Sequence, residues 1–188
     1  MNVEELIRDI ESGHLTREAR LCLQAELKRK GDRAYKLLNA MYLRVKSPYD
    51  KATKTIIETL LAEKADPMLA GLALKLLISW GLYKEYKCNI LEALNGTTWD
   101  KDCYFKLEGV HSAGLYLREA LDVEVLSAVL KRLLDNNELS GTRLAARDAL
   151  LCAMGCNPKE VVENSIDLHY DYKPDQDFVV KWAQDKLI

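Results

Sequence analysis

The sequence contains few residues that interrupt regular backbone, since its 188 residues include only four prolines and nine glycines. It is also poor in phenylalanine, with two residues, and in histidine, with three. Apolar residues nevertheless make up 48% of the chain, and leucine and alanine supply most of them. Scarce helix breakers and abundant helix formers exclude a loop-rich chain and favour an α-helical fold. A chain of this length can bury a sizeable core as one domain, 1–188.

Long apolar runs are also missing, because none approaches the roughly 20 residues that cross a bilayer. The first ten residues carry acids where a secretory leader has a basic start and an apolar stretch. We therefore expect a cytoplasmic protein with no membrane partner. The five cysteines are an odd number and four of them have apolar neighbours, so we expect reduced, mostly buried thiols; these four are Cys22, Cys88, Cys103 and Cys152.

A strong excess of one charge is absent, since 27 lysines and arginines face 29 aspartates and glutamates. This near balance excludes a generic polyanion-binding protein. The average hides two unlike halves, however. Residues 1–94 hold 16 basic and 13 acidic residues, a net charge of +3, whereas residues 95–188 hold 11 and 16, a net charge of −5.

Apolar residues recur at helical spacing in segments separated by short breaks, and no convincing alternating strand is present. The sequence therefore predicts an all-α fold of about 10 or 11 helices. The predicted helices span residues 3–12, 16–30, 32–45, 49–64, 66–80, 82–94, 100–119, 122–135, 140–155, 158–168 and 174–187.

The breaks between these segments carry residues that start or stop helices. Side-chain oxygens that accept hydrogen bonds from the first N–H groups are predicted at Thr16, Asp66, Asp122 and Ser140. Prolines suit a first turn, where the missing N–H costs little, and they occur at Pro48, Pro67, Pro158 and Pro174. Glycines suit left-handed helix ends, and they occur at Gly31, Gly81, Gly96 and Gly155.

Short loops make successive helices antiparallel neighbours, which leaves a compact bundle or a solenoid of stacked helical hairpins. An internal repeat favours the solenoid, because three helices align at offsets of 40 and 33 residues and share a small residue at the centre. The aligned positions are Leu69, Ala73 and Leu77, then Gly109, Ala113 and Leu117, then Thr142, Ala146 and Leu150. The small residue is expected where one helix approaches its neighbour closely.

Two of these helices carry a family resemblance. The stretch 66–77, which opens with Asp66 and Pro67 and continues with spaced alanine and leucine, resembles the first helix of a HEAT-like repeat. The stretch 141–151 is similar, with Arg143 in the place of the family's early-helix arginine. The middle copy departs from the family pattern through Gly109 and Gly114. The resemblance implies HEAT-like hairpins over 49–187, an N-terminal helical cap over 1–45, and a binding scaffold.

Catalytic and metal-binding motifs are not evident in the sequence. A phosphate-binding glycine loop, a zinc-protease helix and a set of four zinc ligands are all missing, so we expect no catalytic residues, no metal, no cofactor and no small-molecule substrate. His111 is interpreted as a packed or partly exposed structural histidine. Cys152 and Cys156 are interpreted as a core cysteine and a helix-end cysteine. Acids in first turns fit the helix dipole better than acid–base pairs; these are Glu160, Glu163, Asp175 and Asp177.

A basic stretch with interleaved tyrosines lies in the first half of the chain. It comprises Lys28, Arg29, Lys30, Arg33, Lys36, Arg44, Lys46, Lys51 and Lys54, with Tyr35, Tyr42 and Tyr49. Such a stretch could bind nucleic acid through phosphate contacts and base stacking. The alternative is favoured, because the seven-residue spacing of Tyr35 and Tyr42 indicates a helix whose tyrosines pack and whose lysines face water.

A second candidate surface is acidic and aromatic. Its residues are Asp167, Tyr170, Asp171, Tyr172, Asp175 and Asp177. Tyrosines offer large contact area, and carboxylates steer a basic partner, so this segment is a candidate protein-binding site. The alternative is an ordinary connection whose tyrosines cover the last hairpin. Trp99 and Tyr104 are further candidates for exposed, partner-binding aromatics, whereas Trp80 and Trp182 are expected to pack.

Three functions remain open at this point. The chain is similar to HEAT-like bacterial immunity proteins, which implies binding of a cognate, basic toxin domain and occlusion of its active site. An alternative is a HEAT-like DNA glycosylase for alkylated bases, for which Trp99 and Asp100 are suitable residue types. The near-neutral charge argues against the basic groove that duplex DNA requires, so nucleic acid is not the expected partner. A helical-repeat bilin lyase is a third possibility.

Overall fold

The computed structural model describes residues 2–45, 48, 50–156 and 174–188, and for 174–177 only the helix is described. Within these residues the chain is helical, and no strand is present. The predicted all-α fold is confirmed. The ten helices of the described residues are α1 (Val3–Ser12), α2 (Arg17–Arg29), α3 (Gly31–Arg44), α4 (Lys51–Leu61), α5 (Pro67–Ser79), α6 (Lys87–Asn95), α7 (Tyr104–Glu119), α8 (Val123–Leu134), α9 (Ser140–Ala153) and α10 (Pro174–Leu187).

Two predicted helix starts are wrong by four or five residues. Helix α6 begins at Lys87 rather than at 82, because residues 82–86 form turns closed by short-range hydrogen bonds such as Tyr86 N–H to the Tyr83 carbonyl. Helix α7 begins at Tyr104 rather than at 100, because the left-handed φ of 60° at Cys103 breaks the helix. The predicted helix 158–168 lies outside the described residues.

Most of the predicted helix-terminal residues are confirmed. Thr16 accepts a hydrogen bond from Ala19 N–H, and Asp66 and Asp122 cap α5 and α8 in the same way. The left-handed glycines are confirmed too, with φ of 71° to 89° at Gly31, Gly81, Gly96 and Gly155.

At the starts of α9 and α4, the helix-starting residue differs from the predicted one. Ser140 is wrong as a cap, because it is the first residue of α9 and the capping position is Leu139, which has no side-chain acceptor. Pro48 is wrong as a first-turn residue, because Asp50 caps α4 two residues later. Pro67 and Pro174 begin their helices as predicted, and Pro158 lies outside the described residues.

The helices group into two compact units, Met1–Tyr86 with Thr98–Phe105 and Lys87–Thr97 with Lys106–Ile188. In the first unit, α3 contacts α1, α2 and α5, while α4 contacts α2 and α5. Helices therefore pair both with the next helix and with the next but one, so that α1, α3 and α5 lie side by side against α2 and α4. This two-layer arrangement is typical of stacked helical hairpins. The predicted single domain over 1–188 stays a prediction.

The second unit has the same pairing. Helix α8 contacts α6, α9 and α10, and α9 also contacts α10. Helix α7 approaches α6 where Gly109 faces Ala93, and it approaches α9 where Gly114 faces Ala149. A Cβ built on Gly109 would lie 2.3 Å from the Ala93 Cβ, and one on Gly114 would lie 2.8 Å from the Ala149 Cα. The two glycines that departed from the repeat pattern are thus points of very close helix approach.

The repeat alignment correctly identified core positions. Each of its nine residues is buried, from Leu69 in α5 to Leu150 in α9, and even the polar Thr142 is only 3% exposed. Trp80 is also buried as predicted and donates its Nε1–H to the Val45 carbonyl at 3.2 Å, whereas Trp182 is half-buried.

The prediction of mostly buried thiols is wrong. All five cysteines are free, but only Cys152 is buried and Cys88 is exposed, because Cys88 lies on the solvent face of α6. Cys152 is the predicted core cysteine, and Cys156 lies half-buried just beyond the end of α9. Among the described residues, no helix combines the length and the apolar character that crossing a membrane would require.

Candidate protein-interaction surface

The acidic and aromatic segment lies largely beyond what the structure describes. Asp167, Tyr170, Asp171 and Tyr172 fall outside the described residues. Asp175 and Asp177 lie in the first turn of α10, where only the helix itself is described. The interpretation of this segment as a partner-binding site therefore stays a prediction.

Trp99 and Tyr104 lie close together in the first unit but have different surroundings. The Trp99 ring packs at 41° against Phe105, with 4.8 Å between the ring centroids, and is half-buried. Tyr104 is 48% exposed, at the first position of α7. Asp100, between them, is only 6% exposed. Tyr104 is thus the aromatic that reaches solvent, while Trp99 serves in part to pack the segment.

Four basic residues of the stretch in the first half form ion pairs with carboxylates. Arg29 and Arg33 both form ion pairs with Glu26, and Lys30 pairs with Glu63. Two of the interleaved tyrosines, Tyr35 and Tyr42, are half-buried rather than core residues, because they lie at the edge of the buried face of α3. Two further residues of the basic stretch, Lys46 and Tyr49, fall outside the described residues.

Lys54 of the same stretch is held in a polar cluster. Its Nζ lies 2.9 Å from Glu58 Oε1 and 3.1 Å from Glu85 Oε2, and the Tyr86 hydroxyl donates to Glu58 at 2.7 Å. The hydrogen bond to Glu58 is the main reason that the pKa of Lys54 is raised. The hydrogen bond from Tyr86, followed by that from Lys54, lowers the pKa of Glu58. These charges therefore connect α4 to the turn before α6.

A surface that the sequence did not single out lies on two helices of the second unit. Along α7 and α9 the partly exposed residues recur at spacings of three and four, so each helix presents them on one face. We call this the α7–α9 surface and define it by Leu107, Glu108, His111, Leu115 and Arg118 on α7 and by Leu144, Arg147, Asp148 and Leu151 on α9.

The two helices of this surface lie very close together. Gly114 on α7 has no side chain, so the backbone and Cβ of Ala149 on α9 occupy the space that a Cβ would take. Burial raises the pKa of Asp148 on α9, and the charges of Arg147 and His111 oppose that rise, which places His111 of α7 near Asp148. The two helices that carry the α7–α9 surface are thus adjacent.

A second electrostatic interaction joins the later parts of α7 and α9. Burial raises the pKa of the Cys152 thiol, and the charge of Arg118 opposes the rise, so Arg118 lies near Cys152. The helices thus have one close backbone contact, Gly114 with Ala149, and electrostatic interactions of His111 with Asp148 and of Arg118 with Cys152.

The charges on the α7–α9 surface occur in pairs. His111 Nδ1 lies 3.2 Å from Glu108 Oε2, and the His111 side chain is 37% exposed, as expected for a partly exposed structural histidine. Arg147 donates two hydrogen bonds to Asp148 Oδ1, at 2.8 and 3.1 Å. The pKa of Asp148 is nevertheless raised, because burial outweighs these favourable charges. The Asp148 carboxylate is therefore only partly compensated.

Leucine side chains lie between these charges. Leu144 is 45% exposed, and Leu115 and Leu151 are half-buried. The sequence contained only a weak signal for them, because their spacing is that of ordinary amphipathic helices and does not indicate which residues face solvent. Their exposure depends on the neighbouring helices, which sequence spacing does not specify.

Chemically, the α7–α9 surface offers leucine, arginine and carboxylate groups. Among the residues that the structure describes, no group of three or more histidine, cysteine, aspartate or glutamate side chains could hold a metal ion. The raised pKa of the Cys152 thiol makes it a poor nucleophile. Comparison of the chain with protein-family models, with curated proteins and with solved structures finds no match.

Proposed function

We propose that the protein is a non-catalytic protein-binding scaffold built from stacked helical hairpins. The observation that carries this proposal is the α7–α9 surface, where partly exposed leucine and arginine side chains lie on two adjacent helices. Apolar side chains grouped on a surface and surrounded by charges are typical of interaction sites, and arginine is enriched in protein interfaces. A rigid helical base also reduces the entropy that is lost on binding.

The proposed partner is a basic protein, and the proposed role is that of a HEAT-like bacterial immunity protein. Two features support this finer proposal: the resemblance of 66–77 and 141–151 to HEAT-like helices, and the net charge of −5 in residues 95–188. Carboxylates accelerate the association of a basic toxin domain. Binding over its active site neutralises the toxin, and the immunity protein acts in the cytoplasm.

The first test asks whether partner binding needs the α7–α9 surface. Tagged wild-type protein and the double variant Leu115→Ala with Leu144→Ala are used to capture proteins from the native cell, which are identified by mass spectrometry. The matched control is Leu21→Ala with Leu43→Ala, because both leucines are exposed, by 59% and 73%, on helices of the first unit. We expect one protein to be retained by wild type and control and lost by the surface variant.

The dissociation constant of each variant for the purified partner is then measured. Each leucine truncated to alanine loses burial worth about 0.8 kcal/mol per methylene equivalent, and part of that burial is already present in the free protein. About 1 kcal/mol for each of the two leucines corresponds to binding about tenfold or more weakly. Unchanged affinity in a variant with a wild-type circular dichroism spectrum would refute the role of this surface.

The immunity role has its own test. Expression of the captured partner alone should arrest growth, and coexpression of the wild-type protein should relieve the arrest. Charge reversal at Asp171, Asp175 and Asp177 should weaken relief. The control is reversal at three acids that are exposed in the first unit, and it should leave relief intact; these are Glu4, Glu11 and Glu18. A captured partner that is harmless when expressed alone would contradict this role.

A further inference from the structure

One oxygen of Asp148 is available for a further contact. Both hydrogen bonds from Arg147 end on Oδ1, and no hydrogen bond to Oδ2 is present among the described residues. Oδ2 does not belong to the fully buried polar atoms without a partner, so it is not completely enclosed. The side chain as a whole is only 21% exposed. Asp148 therefore combines a largely buried carboxylate with one open acceptor oxygen.

The groups around Asp148 Oδ2 favour the binding of a positively charged group there. Glu108 is a second carboxylate on the facing helix, and it lies 3.2 Å from the imidazole of His111. Arg118 pairs with Glu119 at 3.2 Å, and Arg147 binds the other oxygen of Asp148, so neither arginine has a hydrogen bond to Oδ2. Desolvation leaves the charge of Asp148 under-compensated, so a further cation would stabilise it.

Apolar side chains flank the same oxygen. Leu144 lies four residues before Asp148 on α9 and Leu151 lies three residues after it, so the two leucines share its helix face, one turn away on either side. A long cationic side chain that reached Asp148 could lay its methylene groups along such leucines while its charged end met the carboxylate. The site therefore suits a side chain that has apolar methylene groups and a positively charged end group.

We propose that Asp148 Oδ2 receives an arginine side chain of the protein partner, whose methylene stem lies against Leu151. This inference rests on the proposed protein-binding function and names the partner group that the α7–α9 surface recognises. Arginine fits better than lysine, because its guanidinium is more weakly hydrated than an ammonium group and loses less on entering a largely buried site.

The probe for this test is an acetylated and amidated hexa-arginine peptide. Hexa-citrulline is the matched control, because citrulline keeps the planar side chain and lacks the charge. Backbone amide resonances of isotope-labelled protein are followed during titration with each peptide. We expect the arginine peptide to shift resonances of 107–118 and 144–151, and the citrulline peptide to leave them in place. Shifts confined to the acidic residues 160–177 would overturn the proposal.

Two variants separate a local contact from general attraction of charge. Asp148→Asn should weaken binding of hexa-arginine about tenfold, as expected for a hydrogen bond between charged groups. Asp185→Asn makes the same chemical change at an exposed position of α10 and should alter the affinity less than about threefold. Equal losses in the two variants would overturn the proposal.

Weakening of the bond to Arg147 could destabilise Asp148→Asn, so Leu151→Ala provides an independent measurement. It keeps the carboxylate and removes the apolar contact for the stem, and we expect binding of hexa-arginine to weaken about threefold. Leu43→Ala, at an exposed leucine of the first unit, is the control and should leave the affinity unchanged. No loss in Leu151→Ala would contradict the proposed position of the stem.

The choice of arginine over lysine is tested with hexa-lysine, which carries the same charge. Wild type should bind hexa-arginine more tightly than hexa-lysine, and Asp148→Asn should lose most of that preference. A preference that survives in Asp148→Asn would contradict the assignment. If the purified partner needs Leu115 and Leu144 but binds Asp148→Asn normally, the protein-binding function stands and this inference fails.

Discussion

Replacing Gly109 with alanine tests the close packing of α6 against α7. The new Cβ would lie 2.3 Å from the Ala93 Cβ, so the helices must separate by about 1.5 Å to restore an ordinary contact. Overpacking of this kind costs about 1 to 3 kcal/mol, while alanine recovers about 1 kcal/mol of helix propensity. Because the obstructing atom is attached directly to the backbone and cannot rotate away, the cost lies in the upper part of this range, and we expect net destabilisation of about 1 to 2 kcal/mol.

Gly141 provides the matched control for this substitution. It also lies in a helix, but a Cβ built on it has no atom within 4 Å, and its φ is not positive. Gly141→Ala should therefore stabilise the protein by about 0.5 to 1 kcal/mol through helix propensity alone. Urea unfolding followed by circular dichroism measures both variants. A higher urea midpoint for Gly109→Ala, like that expected for Gly141→Ala, would refute the close approach.

Rescue by a second substitution distinguishes the two glycines of α7. Adding Ala93→Gly to Gly109→Ala moves the methyl group across the contact and exchanges equal helix propensities, so it should restore stability to within about 0.5 kcal/mol of wild type. Adding Ala149→Gly to Gly114→Ala should fail to do so, because the nearest obstructing atom there is the Ala149 Cα, at 2.8 Å. Rescue at both positions, or at neither, would contradict the contacts on which the two predictions depend.

Three further predictions concern the first unit. Glu58→Gln should reduce the loss of folding stability in acid, because the hydrogen bond from Tyr86 lowers the pKa of Glu58. The contribution of ionised Glu58 to stability is present above about pH 4.3, and it is lost as the pH falls through the lower pKa of the folded state. Trp80→Phe should cost about 1 to 3 kcal/mol in urea unfolding, since it removes the hydrogen bond to Val45 and leaves a cavity. Asp66→Ala should cost about 1 kcal/mol in the same assay by removing the cap of α5.

Two of these predictions have a matched control substitution. Glu4→Gln changes an exposed carboxylate and should leave the acid dependence unchanged. Asp66→Asn keeps a capping oxygen and should retain most of the stability that Asp66→Ala loses. Identical acid profiles for Glu58→Gln and wild type, or a neutral effect of Trp80→Phe, would show that these contacts contribute nothing measurable.

Helix positions were largely predictable because their causes are local. Thr16, Asp66 and Asp122 each accept a hydrogen bond from N–H groups two or three residues away, so the cap can be recognised without the rest of the fold. The predictions failed at Ser140 and at the start of α6. Ser140 lies inside α9 rather than at its capping position, and residues 82–86 form turns before α6 begins.

The repeat alignment predicted which residues are buried, but it could not predict which exposed residues form the candidate surface. Buried positions such as Ala73 and Ala146 follow the apolar stripe of their own helix, which is evident in sequence spacing. The opposite face of a helix is exposed only if no other helix covers it. Leu115 and Leu151 are at partly covered positions of this kind, and the packing of α7 against α9 decides that they lie on one surface.

The all-α class, most helix limits, the left-handed glycines and the buried repeat positions follow from the order of residues alone, because helix propensity, capping and apolar periodicity act over a few neighbouring positions. Tertiary packing was needed to explain why Gly109 and Gly114 occur inside helix α7, since the atoms that exclude a side chain there belong to Ala93 and Ala149 of other helices. The α7–α9 surface, including the open oxygen of Asp148, also emerges only from packing. It depends on distances between residues more than 30 positions apart, such as His111 and Asp148, and sequence spacing contains no measure of those distances.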